Sequence, residues 1–346
     1  MRIVVNDIAA NTGGAMTVLR DFYNCVCKND KENQWIFLLA DRYFEETDNV
    51  KIIPMPKIKK NALRKLLFDH ITGRRFINNL KPDVVLSLQN IITFGVKAPQ
   101  AVYIHQSIPF QNVKRFSFFK KTERKAAVIQ YMLGSIIKRS AKKSDLVIVQ
   151  TQWIKNAICE KCHITPKRVK VVAPSVCVKN VSEGTFDPSA FFYPTSNQLY
   201  KNNHCLIEAS ALLKQEGVDH TVVMTLPPEM CSGAVQCIGR LPYGQVLENY
   251  STSTLVFPSY IETFGYPLAE ARQMGTVVLA SDCPFSREVL KDYENAYFFD
   301  PFKPRELKEL MKRVATGTII KKPVEAPAET APDSWLTVMQ TVLEHK

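Results

Sequence analysis

Residues 254–282 read TLVFPSYIETFGYPLAEARQMGTVVLASD, which is two short apolar runs with a helical pattern between them. The first run predicts a buried strand that ends near Phe257, because Pro258 follows it directly. Pro267 suits the first turn of a helix, and Gly275 suits the position just after its end. A strand, a helix and a second strand in this order predict a βαβ unit of a parallel sheet.

Two carboxylates flank the start of this predicted helix. Glu262 falls in the loop at the carboxyl end of the strand, and Glu270 falls in the first turns of the helix. Between them, the amides of Phe264 and Gly265 lie where unpaired N–H groups and the helix dipole favour anionic or polar ligand oxygens. A carboxylate also suits a vicinal diol, so the stretch fits a sugar, a diphosphate and a ribose. Acids are common near helix starts for structural reasons alone, and the residues by themselves leave both interpretations open.

Short apolar runs alternate with helical patterns along the whole chain, which predicts an α/β protein with doubly wound parallel sheets. The first series of predicted strands is RIVVNDI, WIFLLA, DVVLSL, AVYIH, DLVIVQ and VKVVA, and the second series is FFYPT, TVVMTL, VQCIG, TLVFPS, TVVLAS and AYFFD. Between the first two strands, Met16, Leu19, Tyr23 and Val26 have the spacing of one helix face.

The length of 346 residues favours two domains rather than one core. We predict a Rossmann-like domain over residues 1–174, a linker over 175–190 that is rich in Pro, Ser and Gly, and a second Rossmann-like domain over 191–320. For residues 321–346 we predict an extended connector and a last helix that packs back on the first domain. Ligands of such sheets bind outside the carboxyl ends of the strands, so we expect the site in a cleft between the domains.

The formal net charge of +12 is concentrated in two stretches. The first basic stretch, residues 51–81, holds nine Lys or Arg and one acid, and the second basic stretch, residues 113–143, holds ten and one. Phe and Leu are interleaved with these charges, which is typical of segments that lie on an anionic membrane surface. Nucleic acid would attract the same charge, and simple solvation of basic helix faces is a third interpretation.

Several motifs are absent from the sequence. It contains no G-x-G-x-x-G, no G-x-x-x-x-G-K-[ST] and no run of about 18 apolar residues, so a dinucleotide site, a P-loop and a membrane span lose their main support. The nine scattered cysteines predict reduced thiols, and MRIVVNDIAANTGG resembles a strand and turn rather than a signal peptide. We therefore expect a cytoplasmic protein. CEKCH (159–163) has the letters of a haem attachment motif, but we interpret it as the end of a helix.

The stretch from Glu262 to Glu270 resembles the E-x7-E motif of retaining glycosyltransferases of the GT-B fold, in particular glycosyltransferase family 4 of the group 1 enzymes. The similarity continues through GTVVLASDCPFSREVL and covers about residues 235–300. The resemblance implies two Rossmann-like domains that face each other across a cleft. It also implies that Glu262 contacts hydroxyls of a donor sugar, that the amides of Phe264 and Gly265 approach the sugar and phosphate, and that Glu270 holds the ribose of the nucleotide.

Weaker matches to the same family occur elsewhere. Gly13 and Gly14 are similar to its glycine-rich loop that faces the diphosphate, and His105 falls where the family has a histidine that points at the donor sugar. Lys201 is similar to the lysine of an Arg-x4-Lys pair that neutralises the leaving diphosphate. The partner position is Ser196, so one cation of that pair is missing, and Arg240 or a basic side chain of the first domain could replace it.

The resemblance implies transfer of a sugar from a nucleotide-sugar donor to a saccharide or lipid-linked acceptor, with retention of configuration and without a metal or other cofactor. The expected catalytic residues are Glu262, His105 and Lys201. We expect Gly13, Gly14, Phe264, Gly265 and Glu270 to bind the donor. Surface polysaccharide or glycoconjugate synthesis at the inner face of a membrane would fit the basic first half. The alternatives are another GT-B enzyme, such as a nucleotide-sugar epimerase, and a basic nucleic-acid-binding protein.

Overall fold

The protein divides into two compact units in a computed structural model that describes residues 1–11, 13–178, 184–230, 233, 235–324 and 333–345. The first unit comprises Met1–Ser175 together with Pro332–Lys346, and the second comprises Val176–Ala331. The predicted linker and the predicted connector lie partly outside the described residues.

The first unit is built on a parallel sheet of seven strands in the order β3-β2-β1-β4-β5-β6-β7. These strands are β1 (Arg2–Asp7), β2 (Gln34–Leu39), β3 (Val50–Pro54), β4 (Val84–Ser87), β5 (Gln100–Ile104), β6 (Leu146–Val149) and β7 (Val169–Val171). The six strands predicted for this half are confirmed. The short edge strand β3 was not predicted. Its sequence is VKIIP, in which the exposed Lys51 interrupts the apolar residues.

Helices cover both faces of this sheet. They are α1 (Gly13–Asn29), α2 (Pro56–Lys59), α3 (Ala62–Leu67), α4 (Gly73–Asn79), α5 (Arg124–Ala127), α6 (Gly134–Lys143) and α7 (Gln152–Cys162). A π-helical turn, Phe68–Thr72, joins α3 to α4, and a second, Val128–Leu133, joins α5 to α6. Each of these two series therefore forms one continuous helical segment.

The cysteine motif ends a helix, as predicted. Helix α7 stops at Cys162, and His163 takes the left-handed conformation with φ of 52°. Cys159 and Cys162 are free thiols. The prediction that all cysteines are reduced is wrong for Cys237, which is disulfide-bonded.

The second unit contains a parallel sheet of six strands in the order β10-β9-β8-β11-β12-β13. Its strands are β8 (Ala190–Tyr193), β9 (Thr221–Met224), β10 (Val235–Cys237), β11 (Thr254–Phe257), β12 (Val278–Ser281) and β13 (Ala296–Phe299). Its helices are α8 (Asn203–Gln215), α9 (Tyr243–Thr252), α10 (Tyr266–Gln273), α11 (Pro284–Val289) and α12 (Pro304–Ala315). All six strands predicted for this half are confirmed.

The last helix, α13 (Ser334–Leu343), belongs to the first unit. The Asp333 carboxylate caps it by accepting a hydrogen bond of 2.9 Å from the amide of Trp335. The Trp335 ring meets the ring of Phe22 on α1 edge to face, with centroids 5.9 Å apart. Val338 and Val342 join the same buried cluster, so the end of the chain completes the core of the first unit.

Both sheets reverse their strand order at one point. In the first sheet the reversal lies between β1 and β4, and in the second it lies between β8 and β11. The connections on either side of such a point leave in opposite directions and open a crevice at the carboxyl ends of the two strands. These two edges are where ligand-binding side chains are expected.

Candidate active site

Two loops bring Lys201 and Glu262 together at the switch point of the second sheet. The loop after β8 leads into a short helical turn that ends at Lys201, and the loop after β11 carries Glu262. The Lys201 Nζ donates to Glu262 Oε1 over 2.6 Å, which makes a charge-assisted hydrogen bond. The side chains are 18% and 16% exposed, so solutes can still reach the pair.

Ser259 fixes the carboxylate of Glu262. Its Oγ lies 2.7 Å from Glu262 Oε1 and 3.1 Å from the carbonyl oxygen of Tyr200. The amide of Tyr260 donates to the same carbonyl over 3.0 Å, and Ser281 Oγ donates to the carbonyl of Ser259. Ser259 was not predicted as a site residue, although a hydroxyl directly after a buried strand at a switch point is a usable signal.

The backbone around Lys201 is held on both sides. Asn202 adopts a left-handed conformation with φ of 57°, and its side-chain amide donates to the carbonyls of Pro301 over 2.7 Å and Pro258 over 3.2 Å. The buried Tyr193 hydroxyl donates to the carbonyl of Lys201 over 2.8 Å. Because these contacts come from strand β8 and from the loops after β11 and β13, the position of Lys201 depends on the tertiary fold.

Helix α10 begins directly after Gly265, close to the predicted start. Gly265 has φ of +92°, and its carbonyl accepts hydrogen bonds from the amides of Leu268 over 3.0 Å and Ala269 over 3.4 Å. A Cβ at this position would lie 3.3 Å from the Leu268 Cδ1. The glycine is therefore required by the backbone and by its packing, and it leaves the first turn of α10 open to a ligand. The predicted helix end is confirmed as well, since Gly275 follows with φ of +67°.

Glu270 has a separate set of partners. The Tyr243 hydroxyl donates to its Oε1 over 3.1 Å, and the Tyr250 hydroxyl donates to its Oε2 over 3.3 Å. Burial raises the pKa of Glu270, and the two tyrosine hydroxyls lower it by binding the charged form. Burial and the nearby carboxylate raise the pKa of both tyrosines, which keeps them as donors. These tyrosines were not predicted as site residues, although their spacing of seven residues on α9 places them on one helix face.

The structure places the candidate residues of the first unit at the carboxyl edge of its sheet. Gly13 and Gly14 form the start of α1, and no neighbour within 4 Å would meet a Cβ at either position. Gly13 has φ of +63°. Asp7, the last residue of β1, was missed: it is 2% exposed, and among the described residues its Oδ2 has no hydrogen-bond partner. Burial raises the pKa of Asp7 to about 7, although the Ala10 amide acts against that shift.

His105 follows β5 and is held through its backbone. Its amide donates to Asn90 Oδ1 over 2.7 Å, and the amide of Gln106 donates to the same atom over 3.0 Å. The imidazole meets the ring of Tyr103 edge to face, with centroids 5.9 Å apart. Burial lowers the pKa of His105 to about 4, so the ring is neutral at physiological pH. Asn90 has φ of +67°, which the sequence did not reveal.

Ser196 occupies the position of the missing cation, and Arg240 is one proposed replacement for it. Ser196 contributes its carbonyl, which accepts a hydrogen bond of 3.0 Å from the side chain of Asn203. Arg240 is exposed and follows β10, the edge strand, which is separated from β8 by β9. Among the described residues, no group of three or more His, Cys, Asp or Glu side chains could hold a metal ion. Metal independence and a role for Arg240 stay predictions.

A cavity of about 490 Å³ lies elsewhere in the first unit, at the amino end of β5. Gln100, Arg139 and Lys143 are among its lining residues. It is at the opposite end of the sheet from Asp7 and His105, so it is separate from the candidate residues of that unit.

In the described parts of the chain, no helix has the length and apolar character needed to cross a membrane.

Comparison with known proteins agrees with this architecture. Residues 230–329 match the family model of glycosyl transferases group 1. Solved structures with the same fold include the lipopolysaccharide outer core galactosyltransferase WaaB, with a TM-score of 0.64, 17% identity and coverage of 93% of this chain and 92% of that one. The glycosyltransferase WaaG, involved in lipopolysaccharide biosynthesis, has a TM-score of 0.61 at 14% identity, with coverage of 100% and 96%.

A third similar structure is HepE from Anabaena in complex with UDP and glucose, with a TM-score of 0.60, 15% identity and coverage of 100% of this chain and 95% of that one. No curated protein sequence matches the chain at a significant level. The two parallel sheets and these similarities define a GT-B fold with two Rossmann-like units. The family match covers only residues 230–329, which include Glu262, Gly265 and Glu270, so this part of the second unit is similar to the group 1 glycosyl transferases.

Proposed function

We propose that the protein transfers a sugar from a nucleotide-sugar donor to a saccharide or lipid-linked acceptor with retention of configuration. The observation that carries this proposal is the pair of Lys201 and Glu262 at the switch point of the second sheet, next to the open first turn of α10. The descriptions of WaaB and WaaG as glycosyltransferases refer to lipopolysaccharide, and HepE was solved with UDP and glucose. They support surface polysaccharide or glycoconjugate synthesis as the process.

In this proposal Lys201 and Glu262 exchange partners when the donor binds. The Lys201 ammonium turns to the diphosphate, on which negative charge builds as the bond to the sugar breaks. Glu262, still held by Ser259, accepts hydrogen bonds from sugar hydroxyls. The ion pair keeps both charges compensated before the donor arrives, so neither side chain has to be buried as an isolated charge.

Glu270 and the start of α10 have binding roles in the same proposal. The Glu270 carboxylate accepts hydrogen bonds from the ribose diol, and the two tyrosines hold it in place. The amides of Phe264 and Gly265 approach the sugar and phosphate, and the helix dipole favours the negative charge there. No metal is needed in this scheme, because Lys201 and the helix start supply the compensating positive charge.

The first unit supplies three further residues to the proposal. Gly13 and Gly14 begin α1 and leave room for a diphosphate, because neither carries a Cβ. His105 contacts the donor sugar, and a neutral imidazole can exchange hydrogen bonds with a hydroxyl without bringing a charge. We place the reaction in the cytoplasm, at the inner face of a membrane.

Thermal unfolding with a panel of nucleotide sugars tests the donor part of the proposal. A donor present at 100 times its Kd adds about 2.7 kcal/mol to the free energy of unfolding. With the stabilising donor, nucleotide should be released only when an acceptor is present, and NMR of the product should show the anomeric configuration of the donor. Acceptor-independent release would favour an epimerase, and an inverted product would contradict retention.

A further inference from the structure

Two helical segments of the first unit expose apolar side chains although their opposite faces are already buried in the core. The large hydrophobic side chains that are exposed in the first basic stretch are Leu63, Leu66, Leu67 and Ile71. Those in the second basic stretch are Phe118, Phe119, Val128, Tyr131 and Met132. These nine make up more than half of the exposed large hydrophobic side chains in the described residues, yet the two stretches cover less than a fifth of the chain.

The spacing of these residues produces one apolar stripe on each segment. In the first, positions 63, 66, 67 and 71 fall on one helix face, while Phe68 and Ile77 face the core. In the second, positions 128, 131 and 132 share a face, and Ala127 and Ile137 are buried. A water-soluble helix with a buried face normally has a polar opposite face, so a second apolar stripe indicates a surface that is covered by something.

Phe119 is the most exposed of these side chains, at 95%. It lies in the loop before α5, where its amide donates to Ser117 Oγ over 3.2 Å. The neighbouring Phe118 ring packs on Tyr131, with centroids 5.6 Å apart. The loop is tied to the helix a second time, since Arg124 Nε donates to the carbonyl of Phe118 over 3.1 Å. A defined loop therefore presents Phe119 to the solvent.

The two segments are neighbours through Phe94. Its ring stacks on His70 of the first segment with centroids 4.7 Å apart, and the Arg139 guanidinium of the second segment lies 5.0 Å from its centroid. The amide of Phe94 also donates to the carbonyl of Asp69 over 2.7 Å. The apolar stripes thus belong to one region of the first unit.

The charge that this region exposes is positive only. Each basic stretch contains one acid, and both acids are buried: Asp69 is 3% exposed and Glu123 is 5% exposed. Asp69 pairs with Lys65, and Glu123 pairs with Lys114 over 3.3 Å. Most of the other basic side chains in the two stretches are exposed, among them Arg64, Arg74, Lys120, Lys121, Arg124 and Lys125.

We propose that this region is a membrane-docking surface whose partner is a bilayer rich in anionic phospholipid, with Phe119 and the two apolar stripes inserted among the headgroups. Exposed Phe, Leu and Met beside uncompensated Lys and Arg complement such a bilayer, which offers negative charge above an apolar layer. Nucleic acid fits less well, because it would leave the aliphatic stripes in water. This proposal rests on the proposed site of action at a membrane and not on the donor chemistry. Vesicle binding therefore tests the docking surface, and nucleotide binding tests the donor chemistry separately.

Sedimentation of the full chain with vesicles is the test. Vesicles that contain phosphatidylglycerol should bind the protein, vesicles of phosphatidylcholine alone should not, and binding should weaken as salt is raised. Replacing Lys120, Lys121, Arg124 and Lys125 with Gln together should lower the partition coefficient by about two to three orders of magnitude, because each cation near the surface contributes about a factor of five. Phe119→Ser should lower it by about tenfold.

Matched variants in the second unit are the controls. Leu63→Ser should weaken binding, whereas Ile320→Ser, at a side chain of similar exposure, should not. Replacing the exposed Lys214, Lys291, Arg305 and Arg313 with Gln removes the same charge without touching the surface. Equal losses from the two quadruple variants, or no binding to phosphatidylglycerol vesicles at low salt, would overturn the proposal. Salt-sensitive binding to an oligonucleotide in place of vesicles would also overturn it and point to nucleic acid. Thermal unfolding of each variant separates lost binding from lost folding.

Discussion

The carboxyl edges of the two sheets have the same topology but opposite electrostatics. At the second edge, Glu262 is charged and matched by Lys201 at 2.6 Å. At the first edge, burial raises the pKa of Asp7 to about 7 and lowers that of His105 to about 4, so both groups are shifted towards their neutral forms. A buried charge persists only where a partner compensates it, and without one the group titrates towards neutrality.

The contrast indicates different tasks for the two edges. A preformed cation opposite a carboxylate suits a ligand that carries charge and hydroxyls, such as a nucleotide sugar. Neutral groups suit a ligand that exchanges hydrogen bonds without charge. The following predictions test this contrast, and they are ordered by the size of the expected effect.

Replacing Lys201 with alanine should give the largest effect. Its charge opposes one that grows during the reaction, so kcat should fall by about 10²–10³ while donor affinity changes less. Steady-state kinetics at saturating donor measures both. Lys214→Ala, at an exposed lysine on α8, should leave kcat unchanged. Near-normal turnover of the Lys201 variant would contradict this role and indicate that Arg240 or another cation stabilises the leaving diphosphate.

Substitutions of Glu270 and Glu262 should affect nucleotide binding and sugar transfer differently. Glu270→Ala should weaken the binding of a free nucleoside diphosphate by roughly 10–100-fold, since it removes hydrogen bonds to a charged acceptor. Glu262→Ala should mainly reduce transfer and sugar discrimination. Calorimetry with the nucleoside diphosphate measures the difference, and Glu248→Ala on the exposed face of α9 serves as the control. Equal losses in the two glutamate variants would contradict the assignment.

Substitutions at two glycines distinguish the effect of backbone strain on stability from the effect of a new side chain on ligand binding. Gly265→Ala and Gly217→Ala both place a side chain at positive φ, so each should lower the free energy of unfolding by about 1–2 kcal/mol. Nothing within 4 Å would meet the new Cβ at Gly217, whereas the Cβ at Gly265 would contact Leu268 and occupy the start of α10. Only Gly265→Ala should therefore also weaken nucleotide binding. A normal affinity for this variant would mean that the ligand does not approach the helix start.

The smallest expected effect concerns the protonation of His105. The NMR titration of His105 should have its midpoint near pH 4, well below the ordinary value of about 6.5. Because the unfolded chain binds this proton at higher pH than the folded chain, the stability that His105 contributes is complete above about pH 6.5 and is lost as the pH falls towards 4. Urea unfolding across this range, with His105→Asn as the comparison, measures it. A midpoint near 6.5 would remove the electrostatic contrast between the two edges.

Much of the fold followed from local pattern. Twelve strands were predicted, because buried parallel strands are short apolar runs bounded by turn residues, and the structure contains all of them. The edge strand β3 was missed, since an edge strand with Lys51 exposed lacks that signal. The start and end of α10 were also predicted from the sequence. Pro267 suits the first turn of a helix, and Gly265 and Gly275 suit the positive φ angles before its start and after its end.

The sequence by itself determined the strands other than β3, the identity of the motif residues and the uneven charge. Only the tertiary structure decided which side chains meet. Glu262 and Lys201 lie in loops after two strands, β11 and β8, that are neighbours in the sheet but 61 residues apart in the chain. The tyrosines that hold Glu270 and the burial that shifts the pKa of Asp7 likewise depend on packing. Spacing along the chain reports backbone geometry over a few residues, whereas hydrogen bonds and desolvation depend on distances that only the folded sheet sets.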